Sequence, residues 1–230
     1  MEKKEFRKGA LSPKDFASLK DELDLRPKGP GMPSWVSGLG KFIAGIIILP
    51  FVYSTSIAFL NEFAAIKKSL QNYFWAGAIS LLIVYLFIWE PVKIYTKGQK
   101  LLGTIFRFFA PLVKVAPYLL PIYFILLFIG YLIISLLIKP LLLINYFFFL
   151  FGFSLALHLV FSAKTIRYRQ GDFLKANYIF GFSLIYIINL ILLAACLSIV
   201  LKSFSFVSFA SYSSQIAKEI FGAVFKQLFL

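Results

Sequence analysis

Residues 178–201 read YIFGFSLIYIINLILLAACLSIVL, 24 consecutive residues without a charged side chain. At 1.5 Å per residue a helix of that length extends about 36 Å, enough to cross a hydrocarbon core of about 30 Å. A surface helix of a soluble protein keeps a polar face toward water, and this segment has none. The same reading extends outward to four further apolar segments, Leu141–Ala163, Pro117–Ile138, Tyr73–Trp89 and Phe42–Leu60. Tyr73–Trp89 is short for a span. Lys139-Pro140 is the only polar break between the third and fourth segments, which predicts a tight helical hairpin there. The fold class that follows is all-α: a polytopic membrane helical bundle of about five transmembrane helices with added interfacial amphipathic helices.

Composition agrees. The chain is 60% hydrophobic and 19% aromatic, with a mean hydropathy of +0.84, against about 45–50% apolar residues in soluble domains. The net charge of +14 is divided among short segments between apolar runs. That distribution points to membrane-flanking loops and away from nucleic acid. Cys196 is the single cysteine and lies inside an apolar run, so an internal disulfide is excluded. A mixed-charge stretch of more than 30 residues precedes the first apolar run, so no cleavable signal peptide is expected.

Basic residues are retained on the cytoplasmic side of a membrane, which gives the spans a direction. With the N-terminus inside, five spans place 18 Lys and Arg residues in inner segments and six in outer ones, Lys67, Lys68, Lys139, Lys202, Lys218 and Lys226. The expected location is therefore the cell inner (cytoplasmic) membrane, multi-pass, with a cytoplasmic N-terminus.

Three regions are expected: a cytoplasmic arm over residues 1–33, a transmembrane domain over 34–201 and an outer-side amphipathic segment over 202–230. In the arm, Ser12, Pro13 and Asp15 form a helix-capping arrangement and predict a short helix to about Leu23. Phe16, Leu19 and Leu23 share one of its faces, available to this protein's own membrane domain or to a partner. Residues 26–33 are a Pro/Gly linker, and Trp35 is placed as an interfacial anchor. After the second span, Lys93, Lys97, Lys100, Arg107 and Lys114 keep to one arc of a helix, while Leu101, Leu102, Ile105, Phe106 and Phe109 are available to its apolar side. Such a helix lies along the cytoplasmic interface as a positive-inside anchor or as a reader of anionic phospholipid, until Pro111 breaks it. Past the fifth span, the Ser/Phe alternation from Ser203 to Phe209 predicts an extended linker, followed by an outer-surface amphipathic helix carrying Ile216, Ile220, Phe221, Val224, Phe225 and Leu228.

Catalysis or ion coupling inside a membrane needs ionisable side chains there, and they are rare because they are costly. Of ten acidic residues only Glu90, before Pro91, approaches a span, and Asp172 after Gly171 is placed as an N-cap of the fifth. His158 is the single histidine, within the fourth span. The chain contains no HExxH, CxxC or Walker loop. No catalytic residue, metal site or cofactor is expected on these grounds. His158 is expected as a hydrogen-bonded interior histidine, and Asn145 and Asn189 as interhelical hydrogen-bonding residues.

From the second span onward the order of segments resembles the polytopic membrane zinc metallopeptidases of the site-2-protease (M50) type, particularly small bacterial members. The likeness runs from Trp89-Glu90-Pro91-Val92-Lys93-Ile94-Tyr95 to Gly98-Gln99-Lys100-Leu101-Leu102-Gly103, then to Ala116-Pro117-Tyr118-Leu119-Leu120-Pro121-Ile122-Tyr123 and the span around His158. It covers roughly residues 73–195. The resemblance implies that Gln99 stands for the first metal histidine, Lys100 for the glutamate base and Gly103 for the second histidine. Gln ligates zinc poorly, Gly not at all, and a Lys ammonium repels the metal and cannot accept a proton from water. The resemblance thus implies a catalytically inactive, membrane-protease-like protein that binds a membrane partner or substrate. From the residues alone the alternative is a structural or lipid-handling subunit of an envelope membrane complex, engaging anionic head groups through Lys93 to Lys114.

Overall fold

The computed structural model describes residues 34–88, 91–105, 119–137, 143–168 and 175–229. Among these residues it forms seven α-helices and no strand. They are α1 (Ser34–Ala64), α2 (Lys68–Ile83), α3 (Val92–Ile105), α4 (Ile122–Leu137), α5 (Ile144–Tyr168), α6 (Lys175–Val200) and α7 (Phe206–Phe229). A π-helical turn, Val84–Ile88, continues α2. The architecture is an all-α bundle.

Four helices are long and apolar enough to cross a membrane: Phe42–Ala64, Lys68–Ile88, Ile144–Ile166 and Tyr178–Val200. The chain is a multi-pass helical membrane protein. Each of the four corresponds to an expected span with its ends moved by a few residues. The remaining expected span appears as the shorter apolar helix Ile122–Leu137 of 16 residues, while Pro117, Tyr118 and the Lys139-Pro140 break lie outside the described residues. The outer surfaces of these helices carry large apolar side chains such as Ile43, Ile79, Ile133 and Ile199, which hydrocarbon solvates and water does not.

α2 and α5 meet backbone to backbone. A Cβ on Gly77 would lie 1.9 Å from the Phe149 carbonyl oxygen, and a Cβ on Gly152 would lie 2.0 Å from that of Phe74. Each glycine thus receives the carbonyl three residues before the other, and the backbones touch where no side chain intervenes. Tyr73 meets Tyr146 near one end of the pair, and Tyr85 meets Phe161 near the other. The two helices therefore run parallel. α4 runs antiparallel to α5, with Tyr131 on Phe147 at 5.1 Å and Phe124 on Phe151 at 5.2 Å between ring centroids. Phe124, Phe148 and Phe151 are fully buried at this junction.

The α1–α2 turn is closed by a side chain. Gln71 Nε2 donates to the carbonyls of Ala64 at 3.1 Å and Ile66 at 2.8 Å, which satisfies acceptors left over at the C-terminus of α1. α6 packs beside α1, with the Ser56 hydroxyl 3.0 Å from the Tyr186 phenol.

Residues 203–209 depart from the extended linker that their alternation predicts, because α7 begins at Phe206. Ser205 supplies the local reason: its hydroxyl accepts from the Ser208 N–H at 3.2 Å, an N-cap. The Ser205 N–H in turn donates to the Glu62 carboxylate at 3.2 Å. From this anchor α7 runs lengthwise down α1 in the antiparallel sense. Ser213 Oγ lies 3.3 Å from Thr55 Oγ1 and 3.5 Å from Ser54 Oγ, and Phe221 packs on Phe51 with centroids 5.3 Å apart. Of the expected apolar positions, Ile216, Ile220 and Phe221 are half-buried while Val224 and Phe225 are exposed, and Ala217, not among them, is buried; the side chain of Leu228 lies outside those described.

Candidate functional site

The polar interior of the bundle is built where α3 meets α5 and the start of α4. Tyr95, Gln99 and Leu102 recur at helical spacing on α3, and His158 and Ser162 are one turn apart on α5, so each helix presents its polar groups together. Gly98 lets α3 come close: a Cβ there would stand 2.7 Å from Ile122 Cγ2 and 2.8 Å from Tyr123 Cε2. The Tyr123 hydroxyl donates to the Ile94 carbonyl and fastens α3 to α4. Tyr95 also stacks on Phe161, with ring centroids 5.2 Å apart.

Within this junction the hydrogen bonds form a chain. Gln99 Nε2 donates to Tyr95 Oη at 2.8 Å. Tyr95 Oη lies 3.1 Å from Ser162 Oγ, and Ser162 Oγ lies 3.4 Å from His158 Nε2, with the donor set by the histidine tautomer. His158 is 5% exposed and Ser162 fully buried. Beside the chain is a cavity of about 10 Å³, lined by Tyr95, Gln99, Tyr123, Ser154 and His158 together with Leu120, Ile122 and Leu157. That is room for about one water molecule. The arrangement can hold a water and orient an imidazole.

Of the positions that the metallopeptidase resemblance singles out, Gln99 and His158 share this cavity. Lys100 does not. It is exposed on the other side of α3, with Lys93 and Lys97. Gly103 adjoins open space, a Cβ there meeting nothing within 4 Å. Among the described residues no three His, Cys, Asp or Glu side chains come together as a metal could require.

The residues that sequence reasoning missed are Tyr95, Ser162, Ser154 and Tyr123. The available signal was a polar side chain one turn from another in an apolar setting, Tyr95 before Gln99 and Ser162 after His158. Asn189 acts at the edge of the site. It is 1% exposed, and its Nδ2 donates to the Leu119 carbonyl at 3.0 Å and to Ile185 at 2.8 Å. It therefore ties α6 to the lead-in of α4.

A second candidate site is the outside of α3. Lys93, Lys97 and Lys100 form one exposed face, and Tyr95, Gly98 and Leu102 are buried on the opposite face. Between the two lies an exposed apolar flank of Ile94, Leu101 and Ile105. Arg107 and Lys114, expected on the same arc, and Phe16, Leu19 and Leu23 of the arm all lie outside the described residues. Comparison with protein-family models, with curated proteins and with solved structures finds no match to this chain.

Proposed function

We propose that this protein is a non-catalytic multi-pass protein of the cell inner membrane that binds a membrane partner or substrate, with its N-terminus on the cytoplasmic side. The observation that carries this reading is the one-water cavity at Gln99 and His158. Gln99 and His158, the two positions of the resemblance that share this cavity, are linked to one another through Tyr95 and Ser162 and leave room for about one water. The orientation rests on the excess of Lys and Arg in alternate inter-span segments. Capture of the full chain from native membranes in a mild detergent, followed by mass spectrometry, tests the reading. One stoichiometric membrane protein is expected. Stoichiometric zinc together with cleavage of a membrane-embedded peptide refutes it.

A second reading, a structural or lipid-handling subunit, is favoured by the three faces of α3. A basic face, an apolar flank and a face buried on the bundle are what a helix needs to lie in the head-group layer with its lysines on anionic phospholipid. Co-purification of anionic phospholipid in place of a protein selects this reading over the first.

A further inference from the structure

α7 is two-sided from Phe209 to Phe221. Phe209, Ser213 and Ala217 face α1 and are buried or half-buried. On the opposite side Ser211, Ser214, Gln215, Lys218, Glu219 and Lys226 are exposed, with the apolar Val207 and Phe225 along one edge. A surface helix of a soluble protein has this pattern, but α7 lies along a candidate membrane span. Its contacts to α1 run from Glu62, near one end of Phe42–Ala64, through Ser54 and Thr55 at its middle, to Phe51. Ser213 therefore sits near mid-depth. Lys218 and Glu219 follow about 8 Å further along the helix axis, inside a hydrocarbon half-thickness of about 15 Å. Charged groups at that depth face a bundle interior or one another, and lipid does not solvate them.

We propose that the polar face of α7 docks a second copy of this chain, α7 against α7, about a two-fold axis along the membrane normal. Two copies inserted in the same direction place their α7 helices parallel, with equal residues at equal depth. Ser211, Gln215 and Gly222 lie near the centre line of the stripe. Lys218 and Glu219, neighbours in sequence, are about 100° apart around the helix and fall on opposite edges. A two-fold axis sets the left edge of one helix against the right edge of the other, so Lys218 of each copy meets Glu219 of the other. The stripe is thus charge-complementary to itself. Gln215 Nε2 donates to Glu219 Oε1 at 3.0 Å, which directs the carboxylate along the face. At Gly222 a Cβ would meet nothing within 4 Å, so this position is open to a neighbouring backbone. The inference depends on α1 being a span and is independent of the proposed function.

The test uses the full chain in native membranes with Cys196→Ala as background. A Gly222→Cys variant is expected to give a disulfide-linked homodimer under mild oxidation, and Leu136→Cys, on the exposed side of α4, is expected to give none. Lys218→Glu and Glu219→Lys are each expected to lower the Gly222→Cys dimer at least about tenfold, and the double exchange to restore it. The exchange keeps composition constant, so its rescue separates pairing from misfolding. Absence of the dimer, crosslinking to a different protein instead, or failure of the double exchange to restore it overturns the proposal.

Discussion

Replacing Gly77 by alanine forces a methyl group into a space already occupied by backbone. The added Cβ would lie 1.9 Å from the Phe149 oxygen and 2.8 Å from the Phe149 carbonyl carbon. Ordinary van der Waals contact begins at 3.4 Å, so α2 and α5 must part by roughly 1.5 Å along that line. No rotamer change relieves this, because the obstacle is a helix backbone. Overpacking costs typically about 1–3 kcal/mol, and the upper end is expected here. Gly152→Ala meets the Phe74 carbonyl in the same way, at 2.0 Å. The double variant should cost less than the two singles together, because the helices have already separated for the first methyl. Gly130→Ala and Gly103→Ala, where a Cβ meets nothing within 4 Å, should raise stability by about 0.5–1 kcal/mol, the helix preference for alanine over glycine. Reversible unfolding in detergent micelles, followed by circular dichroism, measures all five variants. If Gly77→Ala unfolds with wild-type stability, the α2–α5 contact is not where it is placed here.

Tyr95→Phe removes the hydroxyl that links Gln99 to Ser162, and loss of these two hydrogen bonds should cost about 0.5–1.5 kcal/mol each in the same unfolding assay; no change would mean that the chain of bonds adds nothing. His158→Ala should lower stability or partner binding, read by unfolding and by recovery of the captured partner, and the wild-type protein should show no turnover of membrane peptides for it to abolish. Replacing Lys93, Lys97 and Lys100 together by Gln should weaken binding to anionic vesicles by about 1 kcal/mol per charge near the surface. Equal binding of wild type to neutral and anionic vesicles would leave these lysines as a topology signal alone.

The spans were legible because a hydrocarbon solvent imposes one simple requirement, an uncharged run of sufficient length, and residues 178–201 meet it without reference to any other segment. The basic face of α3 was legible for a similar reason: the spacing of Lys93, Lys97 and Lys100 fixes their arc on any helix. The polar chain from Gln99 to His158 was not, since it joins groups about 60 residues apart in sequence through Tyr95 and Ser162. Tyrosine and serine in an apolar helix carry no mark of which neighbour they will meet. For α7 the sequence shows an amphipathic helix but not its course along α1. Lys218, Glu219 and Lys226 lower its hydropathy, so it reads as a surface helix and residues 202–230 as an outer-side segment. Its direction along α1 is set instead by tertiary contacts at Glu62, Thr55 and Phe51, which local periodicity does not contain.

Single cysteines introduced in a Cys196→Ala background at Lys67, Lys97 and Lys226, and labelled with a membrane-impermeant thiol reagent, test the organisation on which both functional readings and the α7 pairing depend. The account predicts that Lys97→Cys and Lys226→Cys react from the cytoplasmic side and Lys67→Cys from the opposite side, because α7 returns alongside α1. Labelling of Lys226→Cys from the same side as Lys67→Cys would contradict it: α7 would not cross, and its polar face would need no partner.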